Sequence, residues 1–460
     1  MRRQLPPWAM GLAGAPLGFY FGFVSTATPI LLRAHGVSVG KIAEVSAIGF
    51  SPTFWAFLLC PILDVRFSKR TYAIFFAGIA AVCLGVCTLL TFDLVAFTAV
   101  LTLGCTATVL FGSAHQGWMP DVVEDKHYSA VGATSNVANL GAAGLFAWLT
   151  VGLMRAMSPH AAGFLLALAV FAPTVMLFFI PPPVMRKRSF VRRASAVWTL
   201  PFWLSRWLPS LLSKWLEEKL PTLQRNVSEA LHSVWSVLPE RLKVFLRPIL
   251  SFILEMYFVC KRPGCLLGLL CFLSPTACFA LTNSFSSLGT DFRASEDWVT
   301  RINGPLVAIV CSLGCLVGIW FCQRFLRRTV YVVAGFGGAA AAVAMIWMPH
   351  TLLFFGIGVL AYNFFQGINY TAFSAFEYEI VGPGNPLAST QIALLTAAAN
   401  APISYMTAIE GHFYTKHALP GMFGVDAAAS VAMGIVLLLV FRRIAPQRVV
   451  DPVQVFEAGV

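Results

Sequence analysis

Charge is what this chain has least of. Of its 460 residues, 11% are Asp, Glu, Lys or Arg and 58% are hydrophobic; a soluble domain carries about a quarter charged residues. So few charges cannot coat a soluble particle of this size. Disorder is excluded too, because it requires low hydrophobicity and high charge. Chemistry-bearing motifs are also missing. There is no Gly-rich phosphate loop ending in Lys-Ser/Thr, so ATP is not the expected energy source. There is no metal-ligand cluster, and no Ser or Cys nucleophile has an evident base. Neither an enzyme nor a resident metal or cofactor is expected. The 11 cysteines are scattered, mostly in apolar runs (Cys83, Cys87, Cys105, Cys311, Cys315), without zinc or redox spacing. They read as small core- or lipid-facing residues. A polytopic membrane protein remains.

What is present is a series of apolar runs, each near the roughly 20 residues needed to cross a bilayer. They lie near 11–32, 43–63, 71–91, 94–118, 129–154 and 161–181, then near 264–289, 302–323, 330–348, 351–376, 387–412 and 422–441. The first run follows Arg2 and Arg3 but is too long for a signal peptide and lacks a cleavage site, so it counts as a span. The net charge of +12 is explained by topology rather than by nucleic acid. With the N-terminus in the cytoplasm, only Arg33, Lys41, Arg155, Arg293, Arg301 and Lys416 of the 32 Lys and Arg fall outside. Both termini are therefore expected in the cytoplasm. The basic loop Asp64-Val65-Arg66-Phe67-Ser68-Lys69-Arg70 after span 2 is echoed by Gln323-Arg324-Phe325-Leu326-Arg327-Arg328 after span 8. Six spans, a loop and six spans with this echo predict an all-α, twelve-helix protein of the major facilitator architecture. The expected domains are an N-terminal bundle (1–185), a central cytoplasmic loop (186–262), a C-terminal bundle (263–445) and a tail (446–460).

The central loop carries its own pattern. Leu204, Trp207, Leu208, Leu211, Leu212, Trp215 and Leu216 fall on one helical face behind the basic cluster Arg186-Lys187-Arg188. Such Trp-rich amphipathic segments suit the membrane interface. It reads either as a strap along the lipid headgroups or as a regulatory element. Asn226-Val227-Ser228 matches a glycosylation acceptor but is expected in the cytoplasm and inert.

Ionisable groups are costly in lipid and therefore informative. Asp64 stands beside Arg66 and Arg70 and predicts a latch. His115 and Asp121 end span 4, and Glu377 and Glu379 end span 10 at the matching place. These acids, with Arg327 and Arg328, predict an ionic gate between bundles. His115 and Glu410 are candidates to carry a proton. Uncharged polar residues are denser. Asn363, Gln366, Asn369 and Tyr370 share one face of span 10. With Asn283 beyond the helix-breaking Pro275, Gln391 in span 11, and Thr26 and Asn136 in the first bundle, they predict a polar path near the midplane. An amide- and hydroxyl-rich path suits a moderately large polar solute, sugar- or peptide-containing, better than a small ion.

Three stretches resemble the AmpG-like peptide/acetyl-CoA transporter branch of the major facilitator superfamily: Pro61-Ile62-Leu63-Asp64 with the basic loop behind it, Arg262-Pro263-Gly264, and Ser389-Thr390-Gln391-Ile392-Ala393-Leu394-Leu395-Thr396. The last resembles that family's A-T-Q-Y-A-L-L-S pattern and is the most specific. The resemblance implies proton-driven uptake across a bacterial inner membrane by a monomer. The solutes would be anhydro-muropeptides, or in other branches siderophores or acyl-CoA-like molecules. Span 7 departs from the family's charged K-L-G-D, reading Ser274-Pro275-Thr276-Ala277 instead. The alternative from another class is a non-transporting sensor or assembly protein acting through the central loop, with membrane lipid and protein as partners.

Overall fold

The computed structural model describes residues 5–64, 67–181 and 263–443. The amphipathic pattern of the central loop, Arg66 and the C-terminal tail lie outside the described residues. Residues 1–185 and 268–460 form one compact unit, which is described below. Residues 186–267 form a second, of which only 263–267 are described.

Among the described residues there are twelve principal helices, several shorter helical turns and no strand. The first half contains α1 (Pro7–Ala34), α2 (Val39–Phe50), α3 (Lys69–Cys87), α4 (Leu94–Val122), α5 (Tyr128–Ala156) and α6 (Pro159–Phe171). The second contains α7 (Pro263–Phe272), α8 (Val307–Arg324), α9 (Arg327–Trp347) and α10 (Leu352–Val381). It ends with a continuous Ala388–Arg443 stretch that Ala418 (φ 51°, ψ −148°) divides into α11 (388–417) and α12 (419–443). Several starts are fixed by side-chain caps. Ser68 accepts from the Thr71 amide, and Asp93 accepts from the Val95 and Ala96 amides. Each cap satisfies donors that the first turn leaves unpaired.

Two of the expected spans are not continuous helices. After α2 the chain passes Pro52 and continues as short 3₁₀ turns, Ala56–Leu58 and Cys60–Asp64. After α7 it passes Pro275 and takes positive φ at Ala277 and Phe279. Proline removes a ladder donor and clashes with the carbonyl four residues back. Within lipid the freed backbone groups need protein partners. Around the α7 break they have them. Asn369 Nδ2 donates to Ala277 O (2.9 Å), Tyr331 Oη to Thr276 O (3.2 Å), and the Ala277 amide to Ser430 Oγ (3.4 Å). Three other helices, α9, α10 and α12, thus hold the unwound stretch.

Between helices in lipid, packing rather than water exclusion provides cohesion, so small residues matter. α8 and α10 approach so closely that a Cβ on Gly367 would sit 2.0 Å from the Cys311 carbonyl oxygen. In the first half, Tyr20, Phe97, Leu101, Cys105 and Phe146 form one buried cluster. Tyr20 Oη donates to Leu101 O within it (2.9 Å). Cys83, Cys87, Cys105, Cys311 and Cys315 are buried and unbridged, as small residues of the core. Large apolar side chains such as Phe75, Phe164 and Trp320 are exposed on the outer faces.

Candidate functional site

The two halves meet where α5 packs on α8 and α10, and where α4 and the short turns after α2 (52–64) pack on the Ala388–Arg443 stretch. At one end this seam is closed by polar contacts. Asp64, last residue of the 3₁₀ turn after α2, accepts from the Ser389 amide (3.2 Å), the Thr390 amide (3.0 Å) and Thr390 Oγ1 (2.7 Å). These amides belong to the first turn of α11, whose donors have no partner in their own helix. A carboxylate from one half therefore caps a helix of the other, with the favourable sign for the helix dipole. Asp121 at the end of α4 makes two contacts, an ion pair to Lys69 Nζ (3.1 Å) and a hydrogen bond from the Gly384 amide (2.8 Å). Arg327 at the start of α9 bridges Asp125 (2.7 Å) in the first half and Glu379 (3.0 Å) in its own. Asn136 of α5 donates to Tyr370 O (3.1 Å) and Ser374 Oγ (3.0 Å) of α10. The close approach needs Gly117, where a Cβ would meet the Ser389 backbone at 2.7 Å.

This differs in its partners from the expected gate. The latch reading joined Asp64 to the neighbouring arginines; its observed hydrogen bonds go to the start of α11. Arg70 donates to Ile180 O and lies over the Trp118 ring (5.3 Å). Arg328 does not share the role of Arg327; its guanidinium lies over Phe441 of α12 (5.2 Å). Glu377 and Glu379 do not act together either. Two helical residues apart is about 200° of rotation, so Glu379 faces Arg327 while buried Glu377 accepts from Thr396 Oγ1 of α11 (3.0 Å). His115 is buried within the first half, its Nε2 at 3.1 Å from Met10 O and its ring stacked on Phe111. Lys69 belongs to the basic loop but was not singled out as a partner of Asp121, and the Gly384 amide escaped the sequence reading because backbone donors carry no sequence signal.

The polar-path residues are spread along the molecule. Gln366 Oε1 accepts from Thr282 Oγ1 of the broken span (3.5 Å), and Asn283 Nδ2 donates to Thr407 Oγ1 of α11 (3.4 Å). Asn283 and Thr26 are exposed. Asn363 Nδ2 turns back to Val359 O of its own helix (2.8 Å), leaving its buried Oδ1 without a partner. Tyr370 is half-buried. Gln391 is at the closed end rather than midway along its helix. It stands in the first turn of α11 and accepts from Asn385 Nδ2 (2.6 Å).

A second cluster lies in the far part of the second half. Glu410 of α11 is fully buried, and its carboxyl faces that of Asp426 in α12 within hydrogen-bonding reach. Tyr362 Oη of α10 donates to Asp426 (3.3 Å). A small cavity is lined by Pro275, Phe279, Gly338, Tyr362, Asp426 and Ser430, and so adjoins the Asp426 member of the pair. Asp426 was missed from the sequence, although a carboxylate inside the 422–441 run is the kind of signal that marks function.

A model of the Major Facilitator Superfamily matches residues 10–405. The fold is similar to the human organic anion transporter MFSD10 (TETRAN), with TM-score 0.63 and 16% identity over 94% of this chain and 100% of that one. It is also similar to the proton:xylose symporter XylE bound to 6-bromo-6-deoxy-D-glucose (TM-score 0.62, 11% identity, 96% and 95% coverage). The transporter FucP in its outward conformation matches comparably (0.63, 10%, 95% and 98%). No curated protein matches the chain in sequence.

Proposed function

The chain belongs to the Major Facilitator Superfamily, and from this premise we propose that it is a proton-coupled transporter for a moderately large polar solute containing sugar or peptide. Membership makes it a multi-pass membrane protein of a transporter family. We further read it as an AmpG-like permease of the inner membrane, with both termini cytoplasmic and bundles at 1–185 and 263–445. An anhydro-muropeptide is the preferred solute.

The observation that carries transport is the chemistry of the seam. Contacts between the halves at the closed end are hydrogen bonds and ion pairs between residues that water can also satisfy. Asp64, Asp121, Arg327 and Asn136 can therefore break and reform at modest net cost, as a two-state gate requires. Thr26, Asn283, Asn363, Gln366 and Tyr370 offer donors and acceptors without buried net charge, which suits weak, reversible binding of a hydroxyl- or amide-rich solute. Gln391 is set aside from the solute path and assigned to the gate. Proton coupling is supported by buried carboxyl groups that have no cation beside them. It is also supported by a fold like that of a proton:xylose symporter.

Proteoliposomes with an imposed pH gradient provide the test. Labelled anhydro-muropeptide, xylose and fucose would be offered in parallel. Accumulation of the muropeptide that a protonophore abolishes is the expected result. Accumulation unaffected by the protonophore would remove the coupling, and no uptake of any of the three would remove the solute class.

A further inference from the structure

Glu410 is fully buried, and neither of its carboxyl oxygens has a donor among the described residues. What it faces is a second carboxyl, Asp426. Two carboxylates cannot satisfy each other, because both only accept. A single proton placed between them supplies the missing donor and removes one of two like charges. The roles are unequal. Asp426 already receives a hydrogen bond from Tyr362 Oη, which favours its ionised form. Glu410 has no such partner and is the natural holder of the proton.

The pair is also placed to feel the gate. Glu410 and Asp426 each stand eight residues from Ala418, the single non-helical residue joining α11 to α12. At the helical rise, both lie about 12 Å from the turn, on facing arms of one hairpin. The opposite end of α11 is the one capped by Asp64. A rigid α11 that loses this cap when the gate opens shifts Glu410 against Asp426, since α12 has no share in that contact. Among the described residues, the other titratable groups facing the pair are Tyr362 of α10 and Cys278 of the α7 break, neither of them a cation. A small cavity lined in part by Asp426 and Tyr362 lies on the Asp426 side of the pair.

We propose that Glu410 and Asp426 hold one proton between them in this closed-gate conformation, and that this pair is the proton-carrying site of the transport cycle. The second clause rests on the proton-coupled reading above. The step balances simply. The Glu410 O–H bond breaks, the proton passes to water, and two carboxylates remain, which is tolerated only once the arms have moved apart or become hydrated. Reprotonation from the other side restores the pair.

Infrared difference spectroscopy of the purified full chain during a pH titration reads the proton directly. The wild type is expected to show a protonated-carboxyl band at neutral pH that is lost in both Glu410→Gln and Asp426→Asn. Tyr362→Phe should shift that band, because Asp426 loses its donor. No such band in the wild type overturns the proposal, and so does a protonated-carboxyl spectrum that either isostere leaves unchanged. A band displaced by sodium would overturn it in favour of a cation site. Solute counterflow and uphill accumulation then separate the two clauses. Glu410→Gln should retain counterflow while losing at least ten-fold of the protonophore-sensitive accumulation. Unchanged accumulation would overturn the coupling role with the band still present. Failure of wild-type uptake, by contrast, would strike the transport reading and leave the spectroscopic result standing.

Discussion

Asp64 is the residue on which the closed end depends most. It presents one carboxylate to three donors of the opposite half. Hydrogen bonds to a charged group contribute about 1.5–3 kcal/mol. Asp64→Asn keeps the size and loses the charge, so the closed state should weaken by about 2 kcal/mol, a shift of roughly thirty-fold in the gate equilibrium. Accessibility of a thiol introduced at the seam would report it; unchanged labelling would remove Asp64 from the gate. Arg327 and Arg328 should part company. Arg327→Gln loses two carboxylate partners, of which Asp125 is largely exposed, so the cost to closure is about 0.5–1 kcal/mol. Arg328→Gln should leave closure unchanged, because its partner Phe441 lies in the same half. Equal effects of the two changes would contradict the assignment. The sequence made the charged span ends legible as candidates for contact between the halves, since charge at a span end is visible in a linear reading. Partner identity was not legible, because it depends on helix rotation. Glu377 and Glu379 look alike in the sequence and point to different helices.

At the scale of the element, the breaks matter more than the regular helices. The unwound stretch after α7 is held by Asn369, Tyr331 and Ser430, each from a different helix. Asn369→Leu strands the Ala277 carbonyl in the interior, and leaving such a group unpaired costs about 1–3 kcal/mol. A drop in the melting temperature of the purified protein is expected, and an unchanged melting curve would show that water replaces the amide. At the α11–α12 turn, Ala418 holds a backbone conformation that suits glycine. Ala418→Gly should therefore stabilise the protein by about 1 kcal/mol, read in the same melting assay. The positions of the spans were legible because apolar runs of the right length define them. Their interruptions were only half legible. Pro52 and Pro275 announce a break, but the positive φ at Ala277, Phe279 and Ala418 does not appear in any residue preference. The shift of Gln391 from the path to the gate has the same origin: hydropathy gives no depth within a span.

For the whole molecule, the proposed transport cycle requires one seam to open and shut. Gly117 permits the backbones of α4 and α11 to touch, and Asp64, Asp121 and Arg327 hold them there. Lys126 and Pro383 are exposed residues beside this seam on opposite halves. The most direct test is the distance distribution between spin labels at positions 126 and 383 in lipid nanodiscs, measured by pulsed electron resonance. The wild type is predicted to show one dominant short distance, and Asp64→Asn combined with Arg327→Gln a second, longer population at the expense of the first. A single distribution identical in both proteins would contradict the claim that these contacts form a gate.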